Sequence, residues 1–369
     1  MARILLTIDI HDPSRGGASE FVSSLASFLT AQAHQVGVAC HRARHEQEDY
    51  QLVLPVHEVQ SFSPYAQAAH LQERVDKERW DLIHDTGGCL LSSDIYHPLM
   101  GSRLHNEFRQ WKAMPLKKTI THIRHTQPWN WARLQRSQCR NHRVLVACSR
   151  RVARDFAHFN VATHAVIHNG ATLPRLAEQA EVNRLRLELK VGSRLLVLLT
   201  SNNHYLKGVM QVLQAVRIMT ESERRDMLVV IAGRNEDTAF QRFLTANKLQ
   251  GCCRLVDWVA DIDLYYRAAD IFLHPTFHDA GSLSTLKALA AGTAVVTTRW
   301  DGSADFIENG RDGFVLNSNS PVEIMEALRA LRSPQLRQEL GDRAVRLRER
   351  VHRQVCFNRI NELYRGMLA

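Results

Sequence analysis

One segment of this chain carries most of the residues that could do chemistry. It runs from His274 to Gly292 and follows an apolar run, Ile271 to Leu273, that is typical of a buried strand. A polar loop around Gly281 comes next, and then a helix of small residues, Ser284 to Ala291, which Gly292 closes. A loop that joins a strand to a helix N-terminus presents backbone N–H groups to an anion. The segment therefore predicts a site for a phosphate or another anionic group.

Two charged side chains lie eight positions apart in this segment, Asp279 in the loop and Lys287 in the helix. A purely structural role for Asp279, as the cap of the helix, is the alternative, since aspartate is favoured at the N-cap of a helix. Lys287 could be a solvated surface residue. An ammonium group offers three hydrogen-bond donors and no acceptor, so Lys287 cannot accept a bond from a hydroxyl group.

Two further loops follow predicted strands. Gly16 and Gly17 lie between a strand and a helix, where two glycines allow a phosphate or sugar to approach the backbone closely. A plain turn is the alternative. Lys207 and Gly208 follow the run Leu195 to Thr200, and a cation there could hold a diphosphate, although a lone lysine after a loop is usually just solvated.

The elements that position these loops alternate between strand-like and helix-like patterns in both halves of the chain, which predicts parallel sheets covered by helices. The predicted strands of the first half are Ile4–Ile8, Val36–Ala39, Leu52–Leu54, Asp81–His84, Lys118–Thr121 and Val144–Ala147. Those of the second half are Leu195–Thr200, Leu228–Ala232, Arg254–Val256, Ile271–Leu273 and Ala294–Thr298.

The pattern restarts after Gly170, and the polar stretch Ala171 to Glu181 is predicted to be a linker. We therefore expect two doubly wound α/β domains with a cleft between them, residues 1–172 and 182–350, and a final helix over about 353–367. Ligands of such sheets bind beyond the carboxyl ends of the strands.

Bulk composition narrows the class of protein. The chain has 369 residues, a net charge of +9 and seven cysteines without metal-site spacing. A reduced, cytoplasmic protein without a zinc site is expected, and no apolar run is long enough to span a bilayer. The positive charge favours an anionic partner, but it is equally compatible with a basic surface that has no such role.

The segment HPTFHDAGSLSTLKALAAG resembles the donor-sugar motif of glycosyltransferase family 4, and weaker similarity extends over nearly the whole chain. The resemblance implies a GT-B fold, with two Rossmann-like domains facing a central cleft and the last helix, about residues 351–369, packed back on the first domain. It also places Asp279 near the transferred sugar. The amides of Gly281, Ser282 and Leu283 are then expected to bind the pyrophosphate.

The same resemblance assigns roles outside this segment. Gly16 and Gly17 would face the donor, and Lys207 would hold its diphosphate. His122, in a stretch predicted to follow a strand, would lie near the sugar and the acceptor, with His125 as the second choice. The expected catalytic residues are thus Asp279, His122 and Lys207.

Lys287 departs from the family pattern, because the family normally has an acid here that grips the ribose hydroxyls. Three interpretations remain open. The site binds a donor poorly, it binds a donor with an extra phosphate that the lysine meets, or the lysine is an introduced change.

The resemblance implies a retaining hexosyltransferase that moves a hexose from a nucleotide-diphosphate sugar to a hydroxyl of a glycan or glycolipid, without metal or other cofactor. It is similar to enzymes of lipopolysaccharide-core and other cell-surface glycans. The alternative is a GT-B-fold protein with weakened or lost activity that serves as a binding or scaffold partner. A cytoplasmic location is expected, with contact to the anionic inner membrane face. Nucleic acid is not an expected partner, because the basic residues are spread out and no recognition module is present.

Overall fold

The computed structural model describes residues 1–12, 17–43, 51–55 (backbone), 63–126, 128–233 and 237–369. The chain divides into two compact units. The first comprises Met1–Trp111, Pro115–Asn169 and Gln354–Ala369, and the second comprises Lys112–Met114 and Gly170–Arg353. Among the described residues, no helix combines the length and the apolar character that a membrane span requires.

The first unit is an α/β structure. Its strands are β1 (Arg3–His11), β2 (Gln35–Ala43), β3 (Gln51–Pro55), β4 (Leu82–Asp85), β5 (Ser93–Tyr96), β6 (His142–Ala147) and β7 (Ala165–Val166). Its helices are α1 (Gly17–Ala31), α2 (Pro64–Val75), α3 (Arg103–Ala113), α4 (Leu116–Thr126), α5 (Pro128–Arg140), α6 (Arg150–Ala157) and, at the end of the chain, α15 (Arg353–Leu368).

Within the described residues, these strands form one parallel sheet in the order β3-β2-β1-β4-β5-β6-β7. Helices α1 and α15 bury their apolar sides in the same core, where Phe21 meets Phe357 edge-on with ring centroids 5.3 Å apart. Tyr364 of α15 is fully buried and its hydroxyl contacts His84 of β4. In the same helix Cys356 is buried, whereas Val355 is 44% exposed.

The predicted strand at Lys118–Thr121 is wrong, because these residues lie inside helix α4. Threonine and isoleucine favour strands, which explains the error. In the structure the Thr119 and Thr121 hydroxyls donate to the carbonyls of Pro115 and Lys117, four residues back, at 3.2 and 3.1 Å. Such bonds satisfy the hydroxyl groups within a helix and offset the weak helix propensity.

The second unit has the same class of architecture. Its strands are β8 (Leu195–Thr200), β9 (Met227–Ala232), β10 (Cys253–Val256), β11 (Ile271–His274), β12 (Ala294–Thr298) and β13 (Phe314–Leu316). Its helices are α7 (Gln179–Glu188), α8 (Val209–Ile218), α9 (Glu221–Arg225), α10 (Thr238–Ala246), α11 (Ile262–Ala268), α12 (Leu283–Ala291), α13 (Pro321–Ala330) and α14 (Pro334–Ala344), with 3₁₀ turns at Gly302–Phe306 and Val345–Leu347.

In the described part of this unit the strands form a parallel sheet in the order β10-β9-β8-β11-β12-β13. Both faces are covered. Along β8, Val197 and Leu199 lie in one buried apolar cluster, whereas Leu196 and Leu198 lie in another. A central strand that is buried on both sides reads as a continuous apolar run, which explains why β8, β9, β11 and β12 were predictable.

Boundaries and short elements depart from the sequence-based expectations. Strands β5, β7 and β13 were not predicted, and the last three residues of the predicted linker, 179–181, already belong to α7. Apart from the short segment Lys112–Met114, the chain passes between the units at 169/170 and again at 353/354.

Candidate functional site

The candidate site lies in the second unit, at the carboxyl ends of β8 and β11. These strands pair in parallel, so the loops that follow them leave the sheet at the same edge. The loops are bonded to each other, since the Phe277 N–H and the Thr276 hydroxyl both donate to the Leu206 carbonyl, at 2.8 and 3.1 Å. Lys207 and Asp279 are thereby brought together from distant parts of the sequence.

Gly208 makes this approach possible. Its φ of +74° lies in the left-handed region, and a Cβ atom there would lie 2.1 Å from the carbonyl oxygen of Pro275. Only glycine fits this position without displacing the loop after β11.

Asp279 contacts the other polar groups of the candidate site. Its Oδ2 atom forms an ion pair with Lys207 and accepts a hydrogen bond from His274 Nε2 at 3.0 Å. Its Oδ1 accepts the Gly281 N–H at 3.3 Å. The Lys207 and Asp279 side chains are only 21% and 17% exposed, so solvent screens the pair weakly.

The electrostatic environment keeps Asp279 ionised. Burial alone would raise its pKa, but the Lys207 cation and the His274 hydrogen bond outweigh burial and hold the pKa well below the usual range. His274 is itself nearly buried, and its ring stacks on Phe272 with centroids 6.2 Å apart. The site therefore presents a fixed carboxylate beside a lysine ammonium.

Helix α12 follows the Asp279 loop and begins at Leu283. Ser282, not Asp279, is the cap of the helix, and its hydroxyl oxygen accepts the Thr285 N–H at 3.1 Å. Gly292 closes the helix in the left-handed conformation, as predicted. The Gly281 and Ser282 amides donate to the carboxylates of Asp279 and Asp301. The Leu283 amide belongs to the first turn of the helix, where backbone N–H groups have no acceptor within the helix.

Asp301 holds the start of this helix in place. Its carboxylate is almost fully buried and accepts hydrogen bonds from the Thr285 and Thr297 hydroxyls at 2.8 and 2.9 Å, and from the Ser282 amide at 3.3 Å. Burial raises its pKa, against the opposing effect of His274. Sequence reasoning missed Asp301, because nothing in the local sequence shows which hydroxyls point at it.

Lys287 is not the solvated lysine that a helix surface would suggest. Its Nζ lies 3.6 Å from Oδ1 of Asp263 in α11, and the two side chains are only 17% and 23% exposed. Oδ2 of Asp263 also accepts the Arg175 N–H at 3.2 Å. The lysine that replaces the expected acid is therefore accompanied by a carboxylate from a neighbouring helix, which sequence reasoning missed because the two residues are not linked by any local pattern.

The remaining predicted site residues belong to the first unit. Gly16 lies outside the described residues. Gly17 begins α1 with a φ of +62°, and a Cβ atom there would have no neighbour within 4 Å. His122 lies in α4, where its Nε2 is 2.6 Å from Oε2 of the buried Glu107. Its predicted position after a strand is thus wrong, and its role near the sugar stays a prediction.

Two sequence families match the chain. Residues 15–175 match the family described as Glycosyltransferase Family 4, and residues 194–333 match the one described as Glycosyl transferases group 1. Among curated relatives, the D-inositol 3-phosphate glycosyltransferase of Corynebacterium jeikeium is 28% identical over 54% of this chain and 51% of that protein. The lipopolysaccharide glucosyltransferase WaaG of Escherichia coli is 26% identical over 46% of each chain. The aligned region thus spans about half the length of these relatives.

Solved structures show similarity over the whole chain. A crystal structure of WaaG, a glycosyltransferase involved in lipopolysaccharide biosynthesis, superposes with a TM-score of 0.80 at 18% identity, covering 98% of this chain and 99% of that one. HepE from Anabaena, in complex with UDP and glucose, gives a TM-score of 0.74 at 16% identity, covering 99% and 100%. At these identities the similarity establishes the fold.

Proposed function

Because the chain belongs to the glycosyltransferases of family 4 and has their GT-B fold, we propose that it transfers a hexose from a nucleotide-diphosphate sugar to a hydroxyl group of a glycan or glycolipid. The observation that carries the proposal is the Lys207–Asp279 pair at the start of α12. It combines a cation for a diphosphate and a carboxylate for sugar hydroxyls at the edge of the sheet where such folds bind ligands.

Lys207 has the chemistry that the leaving group needs. An ammonium group can donate three hydrogen bonds, and Asp279 uses one of them. The other two are available for the oxygens of a diphosphate, whose negative charge grows as the glycosidic bond breaks. The first-turn amide of Leu283 and the dipole of α12 add to this stabilisation.

Asp279 and His274 suit the sugar side of the site. A carboxylate held ionised by its neighbours accepts hydrogen bonds from sugar hydroxyls, and the Gly281 and His274 contacts fix its orientation. Retention of configuration and transfer without metal are part of the proposal, and they rest on the family resemblance. The anomeric proton coupling of the product, read by NMR, tests the stereochemistry.

The first experiment is a screen of nucleotide sugars, read as released nucleotide, together with titration calorimetry of the nucleotide that is active. Lys207→Ala is expected to weaken binding by roughly 1.5–3 kcal/mol, the value of a charge-assisted hydrogen bond. Lys77→Ala removes an exposed lysine that follows the end of α2 and serves as the matched control. Unchanged affinity in a folded Lys207→Ala protein would contradict the proposed role.

A binding or scaffold protein without activity is the alternative function, and Lys287 is the residue that favours it. The Asp263 carboxylate beside Lys287 weakens this argument, because the local charge is balanced. Nucleotide-sugar binding without release of nucleotide, in the presence of a range of acceptors, would select the alternative.

We further propose that helix α4 lies on an anionic membrane surface, where a glycolipid acceptor would reside. None of its residues is fully buried. Leu116, Ile120 and the neighbouring Trp129 are 76%, 45% and 61% exposed, and Lys117 and Lys118 lie beside them. Apolar side chains flanked by lysines are typical of helices that lie in a membrane interface.

Vesicle flotation tests this membrane contact. Binding should require anionic lipid, fall as salt rises, and weaken in Ile120→Ser with Trp129→Ser. Ile218→Ser, which replaces a 42% exposed isoleucine in the second unit, is the control. Equal binding to neutral vesicles would argue against the proposal.

A further inference from the structure

Three side chains of the first unit converge on one another. His105 lies on α3, Asp155 lies on α6, and His158 follows the end of α6. One donor atom from each lies within 4.8 Å of those of the other two. Asp155 is fully buried, His105 is partly buried and His158 is exposed, so the cluster reaches from the interior to solvent.

The hydrogen bonds around His105 favour a proton on Nδ1. The Ser102 hydroxyl donates to Oε1 of Gln135 at 3.3 Å, and that same oxygen accepts the Leu104 N–H at 3.2 Å. Because the hydroxyl proton of Ser102 is used, its oxygen accepts from Nδ1 of His105 at 3.2 Å. Nε2 of His105 then carries no proton and offers a lone pair, and it lies 3.8 Å from Oδ1 of Asp155.

His158 is arranged in the same way. Its Nδ1 lies 2.7 Å from the carbonyl oxygen of Arg154, which can only accept, so Nδ1 carries the proton. Nε2 of His158 therefore also carries no proton and offers a lone pair. A histidine whose Nδ1–H is held by a carbonyl or hydroxyl oxygen while Nε2 is bare is the usual arrangement of histidine ligands in metal sites.

Asp155 lacks the hydrogen bonds that a buried carboxylate requires. In the described part of the chain neither of its oxygens has a hydrogen-bond partner of good geometry, although Nη2 of Arg151 lies 2.9 Å from Oδ1. Oδ1 of Asp155 and Nε2 of His105 therefore face each other at 3.8 Å, which is too long for a hydrogen bond.

We propose that His105, Asp155 and His158 bind a Zn²⁺ ion through the two Nε2 atoms and one carboxylate oxygen, with the fourth position open to solvent. Two histidines and one carboxylate are a ligand set that Zn²⁺ accepts, and three protein ligands leave one position for water. Zinc–ligand bonds of about 2.0–2.1 Å place tetrahedral ligands about 3.4 Å apart. The donor atoms, which lie within 4.8 Å of one another, therefore need to approach by up to about 1.4 Å when the ion binds.

The ion would join α3 to the end of α6 inside the first unit. Its proposed role is structural, and it leaves the expectation of metal-free transfer unchanged. Arg151 compensates Asp155 when no ion is bound, and the ion displaces it. The sequence-based expectation of no zinc site considered cysteine spacing, whereas these ligands are histidine and aspartate on separate helices.

The test uses the untagged full chain after removal of metal by a chelator. Zn²⁺ titration is expected to saturate at one equivalent, and Co²⁺ in its place is expected to give visible d–d absorption of a tetrahedral site. His158→Ala is the main variant, because His158 is exposed and its loss leaves the core intact. It should lower Zn²⁺ affinity at least about tenfold and abolish the Co²⁺ bands.

His125→Ala replaces an exposed histidine of α4 and is the matched control, which should bind as the unmodified protein does. His105→Gln gives a second variant that keeps a polar group beside Ser102, and circular dichroism verifies that it folds. The proposal is overturned if titration shows no saturable equivalent, or if His158→Ala binds Zn²⁺ and Co²⁺ as the control does.

Discussion

Replacing Lys287 by glutamate is expected to destabilise the second unit before it can improve nucleotide binding. Lys287 Nζ lies 3.6 Å from Asp263, and both side chains are largely buried. The substitution removes an attraction of about 1 kcal/mol and places a carboxylate next to a carboxylate, a repulsion of similar size. We expect the free energy of unfolding to fall by about 1–3 kcal/mol.

Two further variants separate these contributions. Lys287→Met removes only the attraction, so it should cost less than Lys287→Glu. Asp263→Asn combined with Lys287→Glu removes the repulsion and should recover at least half of the loss. In this double variant the glutamate is free to accept ribose hydroxyls. The affinity for the active nucleotide diphosphate should then exceed that of the unmodified chain at least about tenfold, as one charge-assisted bond implies.

Urea unfolding and calorimetric titration of the four proteins measure both effects. Lys287→Glu with unchanged stability, or no recovery in the double variant, would refute the electrostatic coupling of Lys287 to Asp263. Recovered stability without tighter nucleotide binding would refute the ribose role of position 287. If the unmodified protein instead prefers a nucleotide with an additional phosphate, Lys287 contributes to donor choice.

Two other predictions concern the separate units. Burial lowers the pKa of His97 to about 3, so the neutral ring is favoured in the folded state, and its contribution is present above pH 6.5 and lost as the pH falls below that value. His97→Asn should therefore flatten the fall of stability with decreasing pH by about 1.4 kcal/mol per pH unit, measured by urea unfolding between about pH 5.5 and 4, and an unchanged slope would contradict the assignment. Gly208→Ala should lower the free energy of unfolding by roughly 1–3 kcal/mol and weaken nucleotide binding, since its Cβ would meet Pro275, whereas Gly251→Ala, with open space around its Cβ, should not. A Gly208→Ala protein as stable as the Gly251→Ala control would show that the loop yields without cost.

The predictability of the second unit follows from its local signals. Strand β11 and the Gly292 closure are readable from neighbouring residues, so α12 was placed within one residue, although its cap is Ser282 and not Asp279. The loop after β8 was placed correctly for the same reason. Local sequence could not show that Asp279 contacts Lys207 and His274 together, because this contact depends on the pairing of β8 with β11.

The first unit was predicted less well, for physical reasons that differ between elements. Strand β5, Ser93–Tyr96, has two polar residues in four, and β7 has only two residues, so neither gives a periodic signal. Helix α4 was mistaken for a strand because its β-branched residues favour strands, although Pro115 precedes it as at many helix starts. The hydrogen bonds of its threonine hydroxyls to backbone carbonyls are visible only in the folded chain. The Lys287–Asp263 pair in the second unit was missed for a further reason, since tertiary charge pairs leave no local pattern.

The position of α15 in the first unit has a consequence for the order in which the chain folds. During synthesis the second unit, which is almost continuous in sequence, emerges in full while the first still lacks residues 354–369. Until then the surfaces of Phe21 and Phe28 that receive Phe357 are uncovered, and His84 lacks Tyr364. The half that is made first is thus completed last, and its exposed apolar surface is the part of the nascent protein most in need of a chaperone.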